Sequence, residues 1–159
     1  LLNFFKIESA EDPDLLLVIA GEGELKTKFN KFIIKNKMEN KIILLGYQEN
    51  IHNLLKKCFC FILTSNWEDP GFVLIEAAIN NASIISSDCP SGPKEILTEG
   101  KGGLLFDSGN LLSLQESYKK FKKLSESEIH LQKVSAKKVA LDYTIFRHYK
   151  KLNSFFNEN

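Results

Sequence analysis

The sequence predicts an α/β domain built on a parallel sheet of about five strands, doubly wound with flanking helices and followed by C-terminal helices. Three observations carry that prediction. Five short apolar runs recur roughly every twenty residues along the first two thirds of the chain. Each run is continuous rather than alternating, the pattern of strands covered on both faces. Helical periodicity fills the intervals, and strand–helix alternation of this kind makes right-handed crossovers between parallel strands.

The strands are expected at Leu15–Ala20, Ile42–Leu45, Phe59–Leu63, Ser83–Ser86 and Gly103–Phe106. Between the first two, residues 22–37 bring Leu25, Phe29, Phe32 and Ile33 to one helical face with lysines outward. Residues 50–57 supply Ile51, Leu54 and Leu55, and residues 72–80 supply Phe72, Ile75, Ala78 and Ile79. A shorter helix over 91–98 opens with Ser91 as a cap and Pro93 in its first turn. After Phe106 the strand pattern stops, and residues 110–124, 127–141 and 143–157 read as three helices. Residues 1–142 are thus expected to form the sheet domain and 143–159 a terminal helix.

Composition excludes several function classes. The 159 residues carry 21 basic and 20 acidic side chains, a net of +1, where a nucleic-acid binder should show a basic excess. Twelve Phe residues and 43% apolar content oppose disorder. No apolar run approaches the length of a membrane span. Three Cys make no disulfide framework and fit a reducing compartment, so a cytoplasmic location is expected. The chain starts Leu1-Leu2-Asn3 and its single Met is Met38, which reads as a piece of a longer protein. Residues 1–110 hold 11 basic and 15 acidic groups, a net of −4, while residues 111–159 hold 10 and 5, a net of +5. A basic amphipathic tail of that kind suits peripheral contact with the inner face of a membrane. The plainer expectation is that its apolar stripe, Phe146, Tyr149, Leu152, Phe155 and Phe156, packs on the domain.

Ligands of an open parallel sheet bind beyond the carboxyl ends of its strands, so the loops that leave the strands are the places to look. Gly21-Glu22-Gly23 follows the first strand. It opens like a dinucleotide fingerprint, but Lys26 stands where the third glycine belongs, which excludes a nicotinamide or flavin role. Gly46-Tyr47 follows the second strand. After the third comes Glu68-Asp69-Pro70-Gly71-Phe72-Val73, entering a helix that carries Glu76. The free N–H groups of a helix's first turn suit a phosphate, and carboxylates accept hydrogen bonds from sugar hydroxyls. No metal set is apparent. Cys58 and Cys60 alternate along the third strand and read as buried apolar thiols, as does Cys89, and His52, His130 and His148 have no ligand spacing. Asp88 reads as a turn residue and Glu95 as a first-turn acid. No Gly-rich loop ends in Lys-Ser or Lys-Thr, which excludes a P-loop NTPase.

The stretch Glu68-Asp69-Pro70-Gly71-Phe72-Val73-Leu74-Ile75-Glu76-Ala77-Ala78 resembles the E-x7-E signature of retaining glycosyltransferases of family 4. Leu17–Gly23, Ile43–Tyr47, Ile84–Asp88, Gly92–Leu97 and Gly102–Phe106 resemble successive strands and loops of the same family in the same order, over roughly residues 1–125. The resemblance implies a GT-B enzyme, two Rossmann-like domains across a cleft, of which this chain is similar to the C-terminal, donor-binding one with its first strand missing. It implies that Glu76 holds the ribose of a nucleotide sugar, that Glu68 is the catalytic-site acid against the transferred sugar, and that the backbone at Gly71, Phe72 and Val73 meets the diphosphate. Gly21 and Gly23 would line the cleft, and Gly46 and Tyr47 would lie near the base. The donor would be a UDP-sugar and the acceptor a glycan or lipid-linked glycan of bacterial surface polysaccharide. No metal or other cofactor would be needed. The last helix would cross to the N-terminal half of the same enzyme. An Arg and a Lys of the family would fall upstream of Leu1, and the family's glycine after the E-x7-E helix is replaced by Asn81 or Ala82. Two other classes fit the same residues: a non-catalytic nucleotide-sugar binding module and a GT-B nucleotide-sugar epimerase.

Overall fold

The computed structural model describes residues 1–157 and is α/β, with every paired strand parallel. The chain divides into two compact units, Leu1–Ile51 and His52–Asn159.

The first unit opens with a helix that the sequence reading missed, α1 (Leu2–Glu11), which buries Phe4, Phe5, Glu8 and Ser9. The pairs Phe4–Glu8 and Phe5–Ser9, each four residues apart, are its signal in the sequence. Strand β1 (Leu17–Ala20), helix α2 (Lys26–Lys35) and strand β2 (Ile42–Gly46) follow. Leu17, Val18 and Ile19 pair with Ile42, Ile43 and Leu44, and the register slips by one so that Ala20 pairs with Gly46. Lys41 ties the unit together by donating from Nζ to the Ser9 carbonyl at 2.9 Å. Helix α2 starts four residues later than its periodicity suggests, because Gly21–Glu24 are spent on the loop that leaves β1. It ends with Lys37 at φ 56° and a Met38 N–H donating to the Ile33 carbonyl, a Schellman stop.

The second unit runs α3 (His52–Lys57), β3 (Phe61–Leu63), α4 (Phe72–Ile79), β4 (Ile84–Ser87), α5 (Pro93–Ile96) and β5 (Leu104–Phe106). Then come α6 (Leu111–Phe121), α7 (Glu126–Ala140), a 3-10 turn at Leu141–Tyr143 and α8 (Ile145–Asn157). Strand β4 is central, flanked by β3 and β5, and all four of its residues are buried. Its Ile85 and, elsewhere in the core, Leu74, Ile96 and Leu97 are each essentially without exposed surface. Removing a side chain of that kind, as in Leu74→Ala, costs about 2–5 kcal/mol. Helix α7 begins with a capping box, Ser125 and Glu128 each bonding the other's backbone N–H. It packs on α4, where Ala136 is fully buried.

Four expectations need correction. The strands do not form one sheet of five but a pair, β1–β2, and a triplet, β3–β4–β5. With only each other to pair, β1 alternates between half-buried and exposed residues and β2 is mostly half-buried, so Val18 and Ile43, and Leu16 just before β1, are exposed rather than covered on both faces. Cys58 and Cys60 lie in the connection from α3 to β3, not in the strand, and are half-buried. Ser91 does not cap α5; it sits at φ 66° and Gly92 is the cap, though Pro93 does occupy the first turn. The apolar stripe of α8 does not pack on its unit: Ile145 is 90% exposed, and Phe146, Tyr149, Phe155 and Phe156 are exposed with it. The helix is held at its start, where Arg147 pairs with Asp142. Residues 158–159, the end of the expected terminal segment, lie outside the described residues.

Candidate functional site

The nine residues singled out from the sequence fall into two groups, one in each unit. All of them lie at or just beyond the carboxyl ends of strands.

In the first unit, the parallel pairing of β1 and β2 brings their two exit loops together. The Gly21 N–H donates to the Gly46 carbonyl at 2.7 Å. Gly21 and Gly46 both have positive φ, at 131° and 69°. The Glu22 carboxylate lies beside Gly46, with Oε1 3.4 Å from where a Cβ on that glycine would stand. A hollow of about 280 Å³ opens next to this contact, lined among others by Gly21, Glu22, Gly23, Phe29 and Gly46. Tyr47 projects into solvent. Glu22, which the sequence reading left unassigned, is therefore the carboxylate that reaches across to the second loop, and Glu24 and Lys26 also line the hollow. The signal for Glu22 was its place between two glycines at a strand end.

In the second unit, the loop from β3 to α4 carries the other group. Residues 64–71 have no regular structure, and the Asp69–Pro70 bond is cis. Gly71 caps α4 in the left-handed region, at φ 86° and ψ 50°, and no side chain bonds the helix's first turn. A residue with a Cβ is strained there, so glycine is favoured. The Leu74 N–H folds back to the Gly71 carbonyl at 2.9 Å. The Phe72 and Val73 N–H groups then stand at the positive end of the helix dipole. Glu68 is half-buried, and its Oε2 lies 3.6 Å from the Cβ position of Gly71, so this carboxylate sits at the helix entry. Helix α4 buries Leu74, Ile75, Ala77 and Ala78 and leaves one stripe open, Phe72, Glu76 and Ile79. Glu76 is thus presented outward, one turn from the helix start and on the same stripe as Phe72.

The helix stops as its sequence suggests. Asn81 takes φ 59°, the Ala82 N–H donates to the Ala77 carbonyl, and Asn81 Oδ1 accepts from Lys137 at 3.1 Å.

What the sequence reading missed is the support of the Glu68 loop from the loops after β4 and β5. The Ser65 carbonyl accepts from Ser87 Oγ at 2.6 Å and from Ser108 Oγ at 3.3 Å. The Glu68 N–H donates to the Pro90 carbonyl at 3.3 Å. Gly92 is pressed against Pro70: a Cβ there would stand 1.9 Å from the Pro70 carbonyl oxygen. Small residues at strand ends were the available signal, but nothing in their spacing points to this loop. Asp88 faces Lys94 at 3.9 Å, and Glu95, in the first turn of α5, accepts from the Tyr143 hydroxyl at 3.1 Å.

Among the described residues no three His, Cys, Asp or Glu side chains are grouped to hold a metal ion. No helix among them is long and apolar enough to cross a membrane. A wider hollow, about 410 Å³ among Lys119, Lys120, Lys123 and Glu128, lies on α6 and α7 and not at a strand end.

Comparison with known proteins places this geometry. Residues 1–138 match the family described as glycosyl transferases group 1. Over 97 residues the chain is 41% identical to an uncharacterized glycosyltransferase of Methanocaldococcus jannaschii, covering 61% of this chain and 24% of that protein. Over 106 residues it is 34% identical to the N-acetylgalactosamine-N,N'-diacetylbacillosaminyl-diphospho-undecaprenol 4-alpha-N-acetylgalactosaminyltransferase of Campylobacter jejuni, covering 67% of this chain and 29% of that one. The fold is similar to that of a TarM mutant of S. aureus in complex with Fondaparinux, alpha-GlcNAc-glycerol and UDP. The TM-score is 0.84 at 22% identity, over 98% of this chain and 32% of that chain. It is also similar to Anabaena HepE in complex with UDP-glucose, with a TM-score of 0.78 at 18% identity over 99% of this chain and 45% of that chain. The chain spans roughly a quarter of the length of the two curated relatives.

Proposed function

We propose, for a chain that belongs to the glycosyl transferases group 1 family, that it is the donor-binding part of a retaining glycosyltransferase. The donor is a UDP-sugar and the acceptor a glycan or lipid-linked glycan. The observation that carries this reading is the entry of α4. It pairs an uncapped helix N-terminus at Gly71 with one carboxylate against that entry, Glu68, and another on the helix's open stripe, Glu76.

Each part answers a part of the ligand. The N–H groups of Phe72 and Val73 and the helix dipole meet the diphosphate. Glu76 accepts hydrogen bonds from the ribose hydroxyls, and Glu68 from hydroxyls of the sugar being moved. As the sugar leaves, negative charge grows on the diphosphate, and a fixed helix terminus stabilises it without reorganising. In this proposal the charge is met by protein groups alone, with no metal. In the first unit, Gly21 and Gly23 line the donor cleft and Gly46 and Tyr47 lie near the base. The exposed stripe of α8 packs against the N-terminal half of the longer enzyme, which also supplies the acceptor site. The enzyme works in the cytoplasm, at the membrane face where lipid-linked acceptors are held.

The test is calorimetric titration of the chain with UDP and with UDP- and GDP-sugars, beside Glu76→Ala. Saturable UDP binding should weaken about 10- to 100-fold in the variant, the loss of hydrogen bonds to a charged group. Glu76 is exposed, so the variant should melt with the wild type. Binding unaffected by Glu76→Ala, or no nucleotide binding at all, would overturn the reading. Sugar transfer by the full-length protein then separates a transferase from a binding module.

A further inference from the structure

We propose that Ser87 is a positioning residue for Glu68, acting through the Ser65 carbonyl. This deepens the donor reading above, in which Glu68 meets the transferred sugar.

The argument starts where the β3–β4 ladder ends. Its last pair is Leu63 with Ser86. On its other side β4 stays paired with β5 one residue further, Ser87 with Phe106, and the Asp88 N–H donates to the Phe106 carbonyl at 2.8 Å. The Ser65 carbonyl lies beyond the ladder and has no strand partner there. A side chain takes over: the hydroxyl of Ser87, a residue with no exposed surface, donates to it at 2.6 Å. Ser108 gives a longer second bond to the same oxygen at 3.3 Å and reaches Asn66 Oδ1 at 3.3 Å. Glu68 is three residues further along, and its N–H is held by the Pro90 carbonyl at 3.3 Å. The chain from Ser65 to Glu68 forms no helix or strand of its own. Its place is set by these anchors, from the end of β4 and the segments leaving β4 and β5, and the Ser87 bond is the shortest and comes from a fully buried donor. Loss of that hydroxyl leaves the Ser65 carbonyl with one long bond and frees the loop that aims Glu68. Glu76 sits on α4 and is not held by this bond.

A double-mutant cycle on the chain tests this, with UDP and UDP-sugars as probes and thermal melts to confirm that each variant is folded. The variants are Ser87→Ala, Ser87→Thr, Glu68→Ala and Ser87→Ala combined with Glu68→Ala. Ser87→Ala should weaken UDP-sugar binding about fivefold, the worth of one neutral hydrogen bond, and change UDP binding by no more than about twofold. Ser87→Thr, which keeps the hydroxyl, should restore sugar binding. In the Glu68→Ala background Ser87→Ala should add no more than about twofold. If Ser87→Ala fails to fold, Ser87→Cys takes its place, with an intermediate loss expected from a weaker donor. Equal losses for UDP and UDP-sugar, additive losses in the double variant, or no effect of the Ser87 variants would overturn the proposal. A wild type that binds no nucleotide sugar would overturn the donor reading itself, and this inference with it.

Discussion

Gly92→Ala is the substitution whose effect the structure predicts most sharply. Gly92 sits at φ 122° and ψ −53°, a region that residues with a Cβ rarely enter, and holding alanine there costs about 1–3 kcal/mol. The added Cβ would also stand 1.9 Å from the Pro70 carbonyl oxygen and 2.8 Å from its carbon. Both are backbone atoms, so no rotamer change relieves the contact. One of the two loops must move by more than an ångström, at a cost of about 1–3 kcal/mol. Together these place the loss near 4 kcal/mol, a large share of a domain's total stability. At about 4 °C per kcal/mol, the melting temperature should fall by roughly 15 °C. Because the displaced segment is Asp69-Pro70-Gly71, nucleotide-sugar binding should weaken even well below the melt. Gly23→Ala is the control. A Cβ on Gly23 meets nothing within 4 Å, and Gly23 is not among the glycines with positive φ. That variant should melt within about 2 °C of the wild type or slightly above it. Thermal unfolding by circular dichroism reads both. A Gly92→Ala protein that melts with the wild type would refute the packing of the two loops and the support of Glu68 drawn from it.

Burial, reinforced by the neighbouring Cys58, pushes the Cys60 thiol from 9.0 up to about 12. At pH 8 it should hold about a thousandfold less thiolate than an unperturbed cysteine and resist a disulfide reagent until the chain unfolds. The folded value lies above the unfolded one, so this group's contribution to stability is complete below pH 9 and is lost as the pH rises from 9 toward 12. A urea midpoint unchanged between pH 8.5 and 10.5 would contradict it. The hydrogen bonds from the Ser125 side chain and backbone hold the Glu128 carboxyl below its ordinary value. Ser125→Ala should let it rise toward 4.5 in an NMR titration and fray the start of α7. In the wild type that bond is complete above pH 4.5 and lost as the pH falls through the lowered value. Asn81→Gly should be nearly neutral and Asn81→Val destabilising by about 1 kcal/mol, since the residue holds the left-handed stop of α4.

How much of this was legible in the sequence depends on the range of the forces involved. The apolar runs located all five strands to within about two residues, and Pro93, Asn81 and the glycines at strand ends marked stops and turns, because each acts on its own backbone. The E-x7-E spacing likewise translated directly, since eight residues along one loop and helix put Glu68 at the entry of α4 and Glu76 on its open stripe. Pairing between strands was less legible. A continuous run such as Ile42–Leu45 signals apolar residues, not what covers them, and here only Ile42 of that strand is buried while Ile43 is exposed. Least legible was the support of Glu68. Ser65, Ser87, Ser108 and Gly92 span more than forty residues, and each looks like an ordinary turn residue alone. Only the parallel register of β3, β4 and β5 sets their loops side by side. An acid such as Glu68 is visible in the sequence because its chemistry is its own. The residues that hold its loop are visible only after the sheet is built, because their chemistry is borrowed from a neighbour's backbone.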